Sequence, residues 1–202
     1  MQTLEREQTS TTTPFPHLKR WTATEFEAMR QQNLLQGKHE LIEGMVYKKM
    51  GSGTKHSRLI CALFYALLKM YTGQRIWVQL PIRILGEGAK YNAPEPDVMV
   101  TKEDFGTYTE TPTSQDVLLA AEISDSSLPF DLSTKANLYS SAGIAEYWVV
   151  DVEGERLLIH REPSPEGYRS IRVLYGEDVA TPLSSSNSLI ISELFAKLVT
   201  DP

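Results

Sequence analysis

Hydrophobic residues recur along the chain in two patterns. Leu59, Ile60, Leu63, Phe64, Leu67, Leu68 and Tyr71 return at intervals of three and four, which predicts an amphipathic helix with Thr54 as its cap. Elsewhere apolar residues come in short alternating or β-branched runs. RIWVQLPIRIL up to Gly86, PDVMVT, DVLLAAEIS, EYWVVD, RLLIHR and YRSIRVLY predict strands. HELIEGMVYKKM has two β-prone halves around Glu43-Gly44 and predicts a hairpin. Further helices are expected over Asp131–Ala142, closed by Gly143, and in the closing SELFAKLV. Thr24, with Glu27 three places on, has the spacing of a capping box for a short helix that holds Phe26 and Met29.

The order of elements is hairpin, helix, three strands, helix, then strands. That order predicts a mixed α/β domain with a central mixed β-sheet flanked by helices. Residues 1–18 are rich in Thr, Gln and Pro with few apolar anchors, so they predict an unstructured arm, leaving residues 19–202 as one domain.

With 41% hydrophobic and 23% charged residues, the chain has ordinary globular composition. No apolar stretch approaches the roughly 20 residues that span a bilayer, and the N-terminus is polar, so a cytoplasmic protein without membrane association is expected. Cys61, the sole cysteine, falls within the helical apolar pattern and reads as a small core residue. A net charge of −6 disfavours unspecific attraction to a polyanion, but the charge is uneven. Residues 38–90 carry nine Lys/Arg against three acids, whereas residues 91–202 carry seven against nineteen. A basic face opposite an acidic body would let a polyanion dock.

Several chemistries are excluded by spacing. GSGTKHS has one residue between its glycines where a phosphate-binding loop needs four, and no Gly-x-Ser-x-Gly elbow occurs. One cysteine and the scattered His17, His39, His56 and His160 show no zinc-ligand spacing. The remaining constellation is acidic. Glu122 follows the unbroken apolar run Val117–Ala121, and an ionised carboxylate buried there needs a cation, a metal or a raised pKa. Asp97 follows Pro-Glu-Pro at the start of the preceding strand, and Lys135 lies on the next helix. Carboxylates on neighbouring strands can hold a hard cation such as Mg²⁺ through oxygen ligands, and the two are expected to raise each other's proton affinity without it. A nearby lysine can polarise water or offset charge on a phosphoryl group. The bland alternative makes Asp131–Lys135 a surface ion pair four residues apart. Glu40, opening the first strand, and His56, opening the main helix, are further candidates.

HELIEG, His56 at a helix start, PEPDVMV, AEISDSS and DLSTKANLYSSAGIAEYWVVD resemble, in that order, the motifs of the Uma-type restriction endonucleases of the PD-(D/E)XK nuclease superfamily. The resemblance runs from about Trp21 to Arg161. It implies a restriction-endonuclease-like fold and Mg²⁺-dependent cleavage of phosphodiester bonds in double-stranded DNA, with Mn²⁺ as a substitute. Asp97, Glu122 and the carbonyl of Ile123 are the implied metal ligands; Lys135, Glu40 and His56 complete the implied catalytic set. Two positions depart from the pattern. Ser124 stands where the superfamily commonly has its lysine, which makes Lys135 the migrated substitute. Met45 follows Gly44 where many relatives have another acid, which leaves Glu40 as the residue of the first motif. A homodimer is expected, because cutting both strands of a duplex suits two-fold symmetry. Two other classes remain open: a nuclease-like domain that binds nucleic acid or a protein without cutting, and a protein–protein scaffold.

Overall fold

Thr22 opens the first helix in a computed structural model that describes residues 17–49, 53–86 and 88–196. Its Oγ1 accepts from the Glu25 N–H at 3.2 Å while Glu25 Oε2 accepts from the Thr22 N–H at 2.8 Å, capping α1 (Ala23–Gln31). The box therefore sits at Thr22 and Glu25 and not at Thr24 and Glu27. Both pairs have the spacing, but Lys19 anchors Glu25 at 2.7 Å and fixes the earlier start. The expected arm falls almost wholly on residues 1–16, outside the described residues.

β1 (His39–Ile42) and β2 (Met45–Lys48) form the expected hairpin. Glu43 and Gly44 both have positive φ, 52° and 79°, the conformation of a tight type I′ turn. Only glycine fits at 44, since a Cβ there would lie 2.7 Å from Arg20 Cβ. Next comes α2 (Thr54–Leu68), whose N-cap is Gly53; Thr54 is its first helical residue and makes no cap. Leu59, Leu63 and Leu67 are fully buried. Cys61 is exposed, contrary to the core reading, because it lies four residues before exposed Tyr65 on the opposite side of the helix.

The predicted long strand after α2 is cut short. β3 (Ile76–Val78) ends at Gln79, which is left-handed with φ 51°, and Pro81 then has no N–H for a ladder. β4 (Val98–Thr101), β5 (Val117–Ser124), β6 (Glu146–Asp151), β7 (Arg156–Ser164) and β8 (Gly167–Tyr175) complete a six-stranded sheet in the order β3-β4-β5-β6-β7-β8. Only β5 and β6 pair in parallel; the other neighbours are antiparallel. The crossover between β5 and β6 is a helical segment longer than expected: α3 (Leu128–Phe130), a π turn (Asp131–Lys135) and α4 (Ala136–Ser141). Gly143 ends it with φ 75°. β9 (Val179–Ala180), β10 (Leu189–Ile190) and α5 (Ile191–Phe195) close the described chain, and the last three residues of the predicted terminal helix, 197–199, lie outside the described residues.

Helices cover both faces of the sheet. Val98, Val100, Leu119, Ala121 and Ile123 pack against α2 and α5 on one side. Met99, Ala120, Tyr147 and Val149 pack against α4 on the other. With both faces of β5 covered, its unbroken apolar run is accounted for. Glu122, two residues from Ala120, shares the α4 side. Among the described residues no helix is long and apolar enough to cross a membrane.

Candidate active site

Asp97 stands one residue before β4, and the register that pairs Val98 with Ala121 places it across from Glu122. The Ile123 N–H donates to Asp97 Oδ2 at 2.9 Å, which locks the aspartate onto the neighbouring strand. From α2, His56 Nε2 reaches the same Oδ2 at 3.2 Å, while its buried Nδ1 has no hydrogen-bond partner among the described residues. Lys49, just past β2, puts Nζ 3.4 Å from Asp97 Oδ1 and donates to the Glu95 carbonyl at 2.7 Å. These donors outweigh the effect of burial and hold the Asp97 carboxyl below the usual carboxylate range.

The helical crossover supplies the other wall. Asp131, Lys135 and Tyr139 recur every four residues, and the π turn slows rotation about the axis so that all three face inward and are buried. Lys135 Nζ lies 2.9 Å from Glu122 Oε1, 3.1 Å from Glu40 Oε1 and 3.8 Å from Asp131 Oδ1. At 2% exposure it belongs to no surface pair. Burial works to lower the Lys135 pKa, but the three carboxylates overcome that and raise it. Tyr139 donates to Glu122 Oε1 at 3.0 Å, and Ser124 and Ser127 both donate to Asp131 Oδ2. Glu40 is held from the far side, where its Oε2 accepts from the Glu95 N–H at 3.3 Å.

Charge is unbalanced here. Four buried carboxylates, Glu40, Asp97, Glu122 and Asp131, face two lysines, Lys49 and Lys135. Burial raises the Glu122 pKa to about 8, with Asp97 and Asp131 adding to the rise against Lys135 and Lys49. The expected mutual rise is thus confined to Glu122; Asp97 moves the opposite way because its own donors surround it. Burial also raises Asp131.

All five candidate residues, Glu40, His56, Asp97, Glu122 and Lys135, line one cleft of about 560 Å³, together with Ile123. Lys38, Lys48 and Lys49 of the hairpin line it too, so cations lie over an acidic floor. Lys49 and Tyr139 join the site without a local signal in the sequence, where Lys49 is only one of the lysines of the basic block. A larger cavity of about 730 Å³ lies against the outer side of α2 and α5, lined by Cys61, Tyr65 and Leu194, and among the described residues Glu193 is the one carboxylate that lines it.

The donor set suits some ions better than others. Among the described residues no three His, Cys, Asp or Glu side chains converge as a protein-only metal cage requires. Two carboxylates across a strand pair instead match a hard cation that keeps several waters and takes substrate oxygens, as Mg²⁺ does.

The chain can be set beside known proteins. A search of curated proteins finds no match. The crystal structure of a putative nuclease belonging to DUF820 from Anabaena variabilis superposes with a TM-score of 0.64 at 19% identity, covering 88% of this chain and 99% of that one. At that identity the likeness is one of fold, and the fold is restriction-endonuclease-like. The family model described as putative restriction endonuclease matches residues 23–192, and the chain belongs to that family, Uma2.

Proposed function

We propose that the protein is a divalent-metal-dependent endonuclease that hydrolyses phosphodiester bonds of double-stranded DNA in the cytoplasm. The observation that carries this reading is the unbalanced cleft, with four buried carboxylates against two lysines and with Glu122 raised to about 8. Such a site accepts a divalent cation because the cation removes a repulsion that the protein leaves in place. Asp97, Glu122 and the carbonyl of Ile123 would hold Mg²⁺ or Mn²⁺. Bound there, the metal supplies Lewis acidity and a more acidic water.

The chain's own residues do the rest. His56 and the Ile123 N–H orient Asp97. Lys135 and Tyr139 fix the Glu122 carboxylate, and Glu40 and Asp131 keep Lys135 charged. The lysines of the hairpin draw in the phosphate backbone. Two copies related by a two-fold axis would cut the two strands, and the mass in solution tests that part.

Incubation of supercoiled plasmid with the purified protein tests the activity, with Mg²⁺, Mn²⁺ or EDTA and with RNA as the control substrate. Nicking that needs metal and spares RNA is expected. Metal-independent DNA binding without cutting would replace this reading with a silent binding domain, and indifference to both would leave a protein–protein scaffold.

A further inference from the structure

Lys135 and Lys49 stand at opposite ends of the same cluster, and they have different freedom. An ammonium has three donors. Those of Lys135 face three carboxylates, at 2.9, 3.1 and 3.8 Å, and the side chain is 3% exposed. To touch a phosphate it would have to leave buried acids unpaired, which low-dielectric surroundings oppose. Lys49 is the more open of the two. Its side chain is 15% exposed, its short contact is to the neutral carbonyl of Glu95 at 2.7 Å, and its one carboxylate contact among the described residues, Asp97 Oδ1, is long at 3.4 Å. It follows β2 directly, so the hairpin carries it to the cleft beside Lys38 and Lys48. One donor remains for a ligand.

We propose that Lys49, rather than Lys135, is the catalytic cation that touches a non-bridging oxygen of the scissile phosphate, and that Lys135 is a positioning residue for Glu122 and Glu40. This rests on the nuclease reading of the cleft. In the hydrolysis a water oxygen forms a bond to phosphorus and one bridging P–O bond breaks. The water gives up a proton to solvent, and the departing oxygen takes one from solvent. Negative charge grows on the non-bridging oxygens as this occurs, and an ammonium at hydrogen-bond distance lowers its energy. A metal ion taken up by Asp97 would compete with the 3.4 Å contact and free Lys49 for the phosphate. The geometry therefore assigns the lysine of the hairpin to the substrate and the lysine of the helix to the protein.

Three variants, Lys49→Met, Lys49→Arg and Lys135→Met, test the assignment through four measurements. These are Mn²⁺ affinity of the DNA-free protein by calorimetry, melting temperature, the salt dependence of duplex binding in EDTA, and the single-turnover cleavage rate at saturating DNA. Lys49→Met should lose about 10²–10³-fold in rate, the scale of one electrostatic group. Its Mn²⁺ affinity should stay equal or rise, and its salt slope should shrink by about one phosphate contact. Lys49→Arg should recover most of the rate. Lys135→Met should instead change Mn²⁺ affinity and melting temperature together. A Lys49→Met protein with the wild-type rate overturns the assignment, and so does one whose rate loss is matched by an equal loss of Mn²⁺ affinity, since a mere strut for Asp97 would behave that way. If the wild type does not cut under any metal, the nuclease reading fails separately. The salt slope alone then judges Lys49, and an unchanged slope overturns its phosphate contact.

Discussion

Glu122 and Glu146 are two glutamates buried on adjacent strands of one sheet, and the fold treats them in opposite ways. Glu146 has its own cation: Arg161 donates to Oε1 through Nη2 at 2.6 Å and through Nε at 3.0 Å. Trp148 Nε1 adds a bond at 3.0 Å, and the Leu183 N–H reaches Oε2 at 2.7 Å. The pair is one acid to one base with both oxygens bonded. Glu122 shares Lys135 with Glu40 and Asp131, and its pKa climbs to about 8. Equal burial thus goes with unequal balance. The balanced acid ties the start of β6 to the loop before β10, whereas the unbalanced one faces a cleft, and perturbed carboxylates in a cleft are candidates for function.

The largest expected effect separates the two in activity. Asp97→Ala and Glu122→Ala should each lose metal binding and about 10³-fold or more in cleavage, because on the proposed reading each removes an oxygen ligand as well as charge. Glu146→Ala should keep the rate per folded molecule within a few-fold. Plasmid nicking beside Mn²⁺ calorimetry checks this, and equal losses in the two strands' variants would erase the distinction.

Stability should reverse the ranking. Glu146→Ala leaves Arg161 and the Leu183 N–H without their partner, which costs about 3 kcal/mol, the lower end for breaking a buried pair because Arg161 keeps some solvent contact. Denaturant unfolding reads that loss, and Mg²⁺ should still raise the melting temperature of this variant. Glu122→Gln behaves otherwise. The folded protein holds the Glu122 proton to about pH 8 whereas the unfolded chain releases it near 4.5, so in EDTA its contribution is full below about 4.5 and is lost as pH rises through 8. Melting curves of wild type between pH 5 and 9 should therefore decline where those of Glu122→Gln stay flatter. Mg²⁺ should restore the wild type at the alkaline end and leave the variant unmoved. A parallel decline in both proteins would place the imbalance elsewhere.

How much of this was legible in the chain differs between the same two regions. Periodicity located the hairpin, α2 and the strands, since each follows from the spacing of its own residues. It also flagged Glu122, whose charge interrupts an apolar run. Neighbouring residues misled where two local solutions compete: Thr22 and Thr24 each have a glutamate three places on, and the apolar pattern of α2 is wide enough to seem to include Cys61. Long-range contacts left no local signal. Lys49 meets Asp97 across 48 residues, and nothing in YKKM distinguishes it from exposed Lys48. The burial of Lys135 depends on the π turn and on Glu40, which approaches from another element. Glu146 was likewise silent, because Arg161 comes from the next strand and Leu183 from beyond β9.

The smallest effect sharpens the comparison at acid pH, where a third buried group titrates. His160 on β7 is 2% exposed, with Nδ1 lacking a hydrogen-bond partner among the described residues and with the rings of Tyr147 and Tyr168 at 5.4 and 5.7 Å. Burial lowers its pKa below the ordinary 6.5, so the folded state keeps it neutral. Its contribution is then full above about pH 6.5 and is lost as pH falls below that, by at most about 1.4 kcal/mol per pH unit from one group. Asp97, held below the usual carboxylate range, has its acid loss only below about pH 4. The two windows do not overlap, and Glu122 moves the opposite way. His160→Phe keeps a ring among the tyrosines and removes the titration, so the melting temperature of the variant relative to wild type should rise by a few degrees between pH 7 and 5, on top of the Glu122 trend that both proteins share. Glu146→Ala should leave that difference intact. If the acid limb of His160→Phe matched wild type while Asp97→Asn flattened it, the loss near pH 6 would belong to the cleft and not to the buried histidine.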